Sequence, residues 1–142
     1  MNTAQKVPLF LLRISLGWMF FYAGITKVLD PSWTSKAYIS GAKLLPELYA
    51  YLLQPNILPL VDLANKWGLT LIGIALIIGF WSRVASLLGV VLMILYYIPI
   101  LDFPHPNTHS YIVDEHVVYI CALLVLAGFN SGKVWGLGSF RK

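Results

Sequence analysis

A chain of 142 residues suits a single domain, and 58% of it is hydrophobic against only 11% charged. A soluble globule this small keeps much of its surface in water and cannot hide so much apolar side chain, so the composition points to an integral membrane protein. The formal charge of +4 comes from ten scattered Lys and Arg residues with no basic run among aromatics, which argues against nucleic acid; the lone Cys121 leaves no intrachain disulfide, CxxC pair or cysteine-held cluster.

The N-terminal "MNTAQKVPLFLL" has no small-residue cleavage site after a short apolar core, and its apolar run continues for a full span. It reads as a retained first helix, about 8–29, with Pro8 suited to the opening turn. Next comes "PSWTSKAYISGAKLLPELYAYLLQPN", too interrupted to span, whose Trp33, Tyr38, Tyr49 and Tyr51 suit a segment lying at the membrane interface. A second helix ends at Phe80 and begins between Ile57 and Trp67, with Asp62 and Lys66 one turn apart as an expected ion pair. The third runs over about 83–101 after the tight turn "FWSR". The loop "DFPHPNTHSYIVDE" is proline-punctuated and holds no Lys or Arg. The fourth helix covers about 115–130 and stops at "NSGK". The expected fold is therefore an all-α integral membrane domain over 1–142: a bundle of four transmembrane helices with an interfacial segment between the first two.

Four spans place Lys6, Arg83, Lys133, Arg141 and Lys142 on one side, with Arg13 just inside the membrane. Lys36, Lys43 and Lys66 lie on the other. The positive-inside rule then predicts a multi-pass protein of the cell membrane with both termini in the cytoplasm.

Arg13, Gly17, Phe20, Gly24 and Lys27 are spaced four, three, four and three, so they form one stripe on the first helix. Glycines on a stripe admit a neighbouring helix closely, so this face turns into the bundle. Its two charges lie roughly 21 Å apart at the helical rise. A charge facing a bundle interior marks a functional candidate, and snorkelling to the nearer interface is the structural alternative. Lys27 has an expected local partner in Asp30, three residues on, and shares its end of the bundle with "DEH", Asp114 to His116. His116 and Tyr119 share a face of the fourth helix with Leu123, Ala127 and Asn130, and a histidine there can exchange a proton near neutral pH. At the other end Arg13, Arg83 and Asn130 are candidates to gather around an anion or a quinone carbonyl, or to act as topology anchors. His105 and His109 are separated by proline-rich sequence, and neither HExxH nor CxxCH occurs, so the chain is expected to bind no metal or haem.

The segments "LRISLGWMFFYAGITKVLDPSW", "WGLTLIGIALIIGFWSRVASLLG" and "DEHVVYICALLVLAGFNSGKVWGL" resemble the DoxX/DoxD membrane family, and most of all its DoxD type, the small subunit of thiosulfate:quinone oxidoreductase. The resemblance implies a four-helix bundle that, with other membrane-complex subunits, oxidises thiosulfate to tetrathionate and reduces a membrane quinone. It lands on Arg13, Lys27, Arg83 and His116. Two departures stand out: "NKWGLTL" lacks the glutamate expected early in the second helix, and Gly138 occupies a position where aspartate is common. The resemblance implies His116 and Tyr119 in proton chemistry, with Arg13, Lys27, Arg83 and Tyr22 holding thiosulfate or quinone. The other class of function is a non-catalytic accessory subunit of a larger respiratory complex such as a terminal quinol oxidase.

Overall fold

The computed structural model describes residues 1–140, and among them every regular element is helical. In chain order these are α1 (Thr3–Leu29), α2 (Lys36–Ser40), α3 (Pro46–Leu52), α4 (Leu58–Ile78), α5 (Ser82–Ile100) and α6 (Glu115–Gly128), followed by two short 3-10 turns at Ser131–Lys133 and Leu137–Phe140. Arg141 and Lys142, counted above as topology signals, lie outside the described residues.

Local chemistry sets the ends. Helix α1 begins at Thr3 and not at Pro8, because Asn2 and Gln5 cap each other's backbone N–H groups at 3.0 and 3.1 Å. Helix α4 stops at Ile78, since Gly79 takes φ +70° and its N–H turns back to the last carbonyls. Helix α6 is the shortest of the four long elements. Asp114 caps its start, and the chain leaves it at Gly128, ahead of the left-handed Asn130.

Three helices, α1, α4 and α5, are long and apolar enough to cross a membrane. Helix α6 is apolar too but has only 14 residues, about 21 Å at the helical rise. The four long elements pack side by side, each antiparallel to the next, with α1 against α4, α4 against α5, α5 against α6 and α6 back on α1. Phe20, Leu76, Leu123 and Leu126 form the fully buried centre. The α1–α4 seam is the tightest. A Cβ on Gly24 would meet the Thr70 backbone, and one on Gly73 would meet the backbone of Phe21, so both positions need a bare backbone. Outside, Leu11, Trp18, Leu71, Leu88 and Leu124 stay exposed, as a lipid-facing surface requires.

Candidate functional site

The α1 stripe is real: Arg13, Gly17, Phe20 and Gly24 are buried and Lys27 is half-buried. Its two charges meet opposite fates.

Arg13 is fully buried, at 0% exposure. Its Nη1 donates to the carbonyls of Ser131 (2.5 Å) and Val134 (2.9 Å), and Nη2 to that of Trp135 (3.4 Å). These acceptors sit where the chain leaves α6 through a 3-10 turn and the left-handed Trp135, a path that leaves carbonyls without helical partners. The Phe10 ring covers the guanidinium at 5.3 Å. Gly79 and Gly136 wall it in, since a Cβ on either would come within 2.9 and 2.8 Å of Nη1. The Gly132 N–H donates to Ser82 Oγ at 2.7 Å and the Gly138 N–H to the Gly79 carbonyl at 2.9 Å, and a Cβ at 138 would come within 2.8 Å of the Gly132 carbonyl oxygen, which accounts for glycine there. Arg83 and Asn130 are exposed and do not join Arg13, so the expected arginine pair for a ligand is not assembled. This end is closed by packing.

The Lys27 end is built differently. Lys27 Nζ donates to the Tyr96 hydroxyl at 3.3 Å, and that hydroxyl donates to Asn65 Oδ1 at 2.7 Å, linking α1, α5 and α4. The ammonium also lies over the rings of Trp33 (5.2 Å) and Tyr96 (5.6 Å). The expected pairing of Lys27 with Asp30 does not form. Asp30 instead accepts from the Ser32 hydroxyl (2.6 Å) and amide (2.9 Å), which hold its carboxyl below the ordinary carboxylate range. Nor does Asp62 bond Lys66: it accepts from the Ser35 amide (2.8 Å) and hydroxyl (2.6 Å), while Lys66 lies over Trp33 at 5.5 Å.

Helices α2 and α3 roof this end. Pro99 lacks an N–H, so the Leu95 carbonyl one turn earlier has no helical donor, and the Tyr49 hydroxyl fills the gap at 2.9 Å. Tyr38 donates to the next carbonyl, that of Tyr96, at 2.6 Å. Burial pushes the titration of both phenols up, which keeps them protonated donors. Lys43 pairs with Asp102 at 3.1 Å and completes the attachment.

Beneath the roof lies a cavity of about 770 Å³, walled mainly by apolar side chains such as Ile39, Leu52, Val61 and Leu92, with Lys27, Asn65 and Tyr96 supplying its polar end. A smaller cavity of about 180 Å³ adjoins it on the α6 side, where Glu115, His116 and Tyr119 face Lys27 and Tyr96. Among the described residues, only Lys27 and Tyr96 line both. His116 Nδ1 contacts Asp114 Oδ2 at 2.7 Å, and Asp114 Oδ1 accepts the His116 and Val117 amides, so the carboxylate fixes the ring while capping α6. The imidazole stacks on Tyr96 with centroids 6.3 Å apart.

The structure thus brings Lys27, His116 and Tyr119 together and leaves Tyr22 outside, 60% exposed and stacked on Trp18. Sequence reasoning passed over Tyr96 and Asn65, and read Trp33 as an interfacial residue without its place over Lys27. The signals were present: Tyr96 stands one turn before Pro99, and Asn65 lies between Asp62 and Lys66 on α4. An apolar cavity with a few convergent donors at one end suits a hydrophobic ring bearing acceptor oxygens. No curated protein and no solved structure matches the chain. The DoxX family model matches residues 8–100, from α1 through α5 and well over half of the chain, so this multi-pass membrane protein belongs to the DoxX family.

Proposed function

We propose that the chain is the membrane subunit of a quinone-linked respiratory oxidoreductase of the thiosulfate:quinone oxidoreductase kind. The observation that carries this reading is the roofed apolar cavity with Lys27, Tyr96 and Asn65 at its polar end. A quinone has an apolar tail for the cavity and carbonyl oxygens for the Lys27 ammonium. Several residues at the cavity's edge, Ala64, Leu48 and Leu95, are exposed and apolar, so a ligand dissolved in the bilayer reaches it from the side. In the reaction two thiosulfate ions join as tetrathionate and release two electrons; the quinone takes these with two protons. The electrons arrive through a partner subunit, and no metal or haem is assigned to this chain. Lys27 orients the quinone, and His116 with Tyr119 exchanges protons. Arg13 and Arg83 serve the fold and the topology, and Tyr22 faces lipid.

In this reading α6 is a fourth crossing, short because the 3-10 turns held by Arg13 extend it. Lys6, Arg83 and Lys133 lie at the Arg13 end, and by the positive-inside rule this supports a cell-membrane protein with both termini in the cytoplasm.

A second reading is a non-catalytic accessory subunit of a larger respiratory complex such as a terminal quinol oxidase. Its support is that Arg13, the most buried charge, is engaged by the chain's own carbonyls. Mild-detergent purification of the native complex, assayed for thiosulfate-dependent reduction of a quinone analogue, separates the two. Activity that follows this chain and falls in Lys27→Ala and His116→Ala complexes is the expected result. Co-purification with a haem-bearing oxidase and no thiosulfate activity would establish the accessory role.

A further inference from the structure

Two cavities that meet at a single pair of side chains pose a question that a ligand pocket alone does not. The large cavity is apolar and is edged by exposed apolar residues, an approach from lipid. The small one is lined on one side by Glu115, which is exposed, and by His116 and Tyr119. Its volume of about 180 Å³ has room for several waters. Water also needs two to four polar partners, and Lys27, Tyr96, Glu115, His116 and Tyr119, which line the cavity, carry groups of that kind. Asp114 occupies His116 Nδ1, so Nε2 is the ring nitrogen left for exchange.

From this geometry we infer that the small cavity is a hydrated proton entrance, separate from the lipid-side entrance of the ligand, and that Lys27 with Tyr96 forms the partition between them. The inference rests on the quinone reading of the large cavity. When two electrons reach the bound quinone from the sulfur-anion reductant, Lys27 gives a proton from Nζ to the nearer carbonyl oxygen. It recovers that proton from water in the small cavity, which His116 Nε2 and bulk solvent replenish. Lys27, reprotonated in the same way, gives the second proton to the other carbonyl oxygen once the ring has turned over in the cavity, and this completes the quinol. Tyr96, held by Asn65 and stacked on His116, fixes the ammonium so that it serves both sides. The separation keeps bulk water away from the apolar cavity while protons still arrive.

Ala23 and Met19 line the small cavity and not the large one. Filling it by Ala23→Leu, or by Met19→Phe as a second variant, removes the water without touching the ligand's walls. In the intact complex reconstituted in lipid, hydroxyl-radical footprinting reads the water directly, with no ligand present. Met93 and Tyr119 should be labelled in the wild type and protected at least fivefold in a filled variant, with the large-cavity residue Leu52 unlabelled in both. Quinone-analogue reduction should fall about tenfold or more in the filled variants, while the dissociation constant of the analogue stays within twofold. Unlabelled Met93 and Tyr119 in the wild type, or filled variants with the wild-type rate, would overturn the proton entrance. Failure of the wild type to bind any quinone analogue would overturn the reading of the large cavity instead, with the footprint still deciding whether the small one is wet.

Discussion

The two ends of the α1 stripe start from the same ingredients, a basic residue beside a glycine on a buried face, and become opposite things. At the Arg13 end every neighbour closes in. Glycines at 79 and 136 let backbone lie against the guanidinium, and three carbonyls take its protons. At the Lys27 end the neighbours are tyrosine, tryptophan and asparagine, large groups that leave cavities on both sides of the ammonium. The difference teaches that a buried charge is a structural strut when backbone carbonyls engage it and a ligand candidate when side chains and space surround it. Arginine suits the first role because its planar fork reaches several acceptors at once; lysine suits the second because its point charge moves on a flexible stem.

The comparison can be broken most forcefully at Arg13. Arg13→Ala should destabilise the protein by on the order of 3–5 kcal/mol, because buried carbonyls lose a charged donor with no water to replace it. Thermal unfolding in detergent measures this. A variant as stable as the wild type would mean that the carbonyl cage contributes nothing.

Gly79→Ala should cost about 2 kcal/mol in the same measurement, since it combines a left-handed backbone with a Cβ 2.8 Å from the Gly136 Cα and 2.9 Å from Arg13 Nη1. Lys27→Met should behave in the reverse sense. Its melting temperature should hold or rise, because a half-buried ammonium without a carboxylate partner is removed, while quinone-analogue affinity falls about tenfold, or roughly 1.4 kcal/mol. Equal loss of stability at Lys27 and Arg13 would erase the distinction between the two ends.

Tyr49→Phe sharpens the account of the roof. Leaving the Leu95 carbonyl without a donor should cost about 1 kcal/mol and loosen α3, detectable as faster amide exchange over Pro46–Leu52. The smallest effect concerns Asp30. Ser32 holds its carboxyl below the usual range, so the contact's contribution is full above the ordinary carboxylate pKa and is lost as pH falls through the depressed folded value. Ser32→Ala should move the Asp30 titration upward in carbon-detected NMR, with little change in stability at neutral pH.

Much of this architecture was legible in the sequence. The period of the α1 stripe announced its buried face, and the Trp- and Tyr-bearing segment after it announced the roof, because both signals are local. Arg13's partner was not legible: Ser131 lies 118 residues away and offers a backbone carbonyl, which no side-chain pattern encodes. The pairs assumed from one-turn spacing, Lys27 with Asp30 and Asp62 with Lys66, failed because serine hydroxyls and amides closer at hand captured the acids. Hydropathy could not end α6 correctly either. Its apolar run continues to Phe129, and only the left-handed Asn130 and the turn beyond it show that the helix has already closed. Tyr96 escaped notice because its importance arises from three elements meeting on one hydroxyl.

The measurement that goes most directly to the central contrast is photo-crosslinking of a quinone analogue to the complex in lipid, followed by peptide mapping. Labelling confined to the Lys27 end, on Trp33, Leu52, Leu92 or Tyr96 and competed by unlabelled quinone, is the expected result. Competed labelling at the Arg13 end, around Phe10, Gly79 or Trp135, would contradict the assignment of ligand to one end and structure to the other.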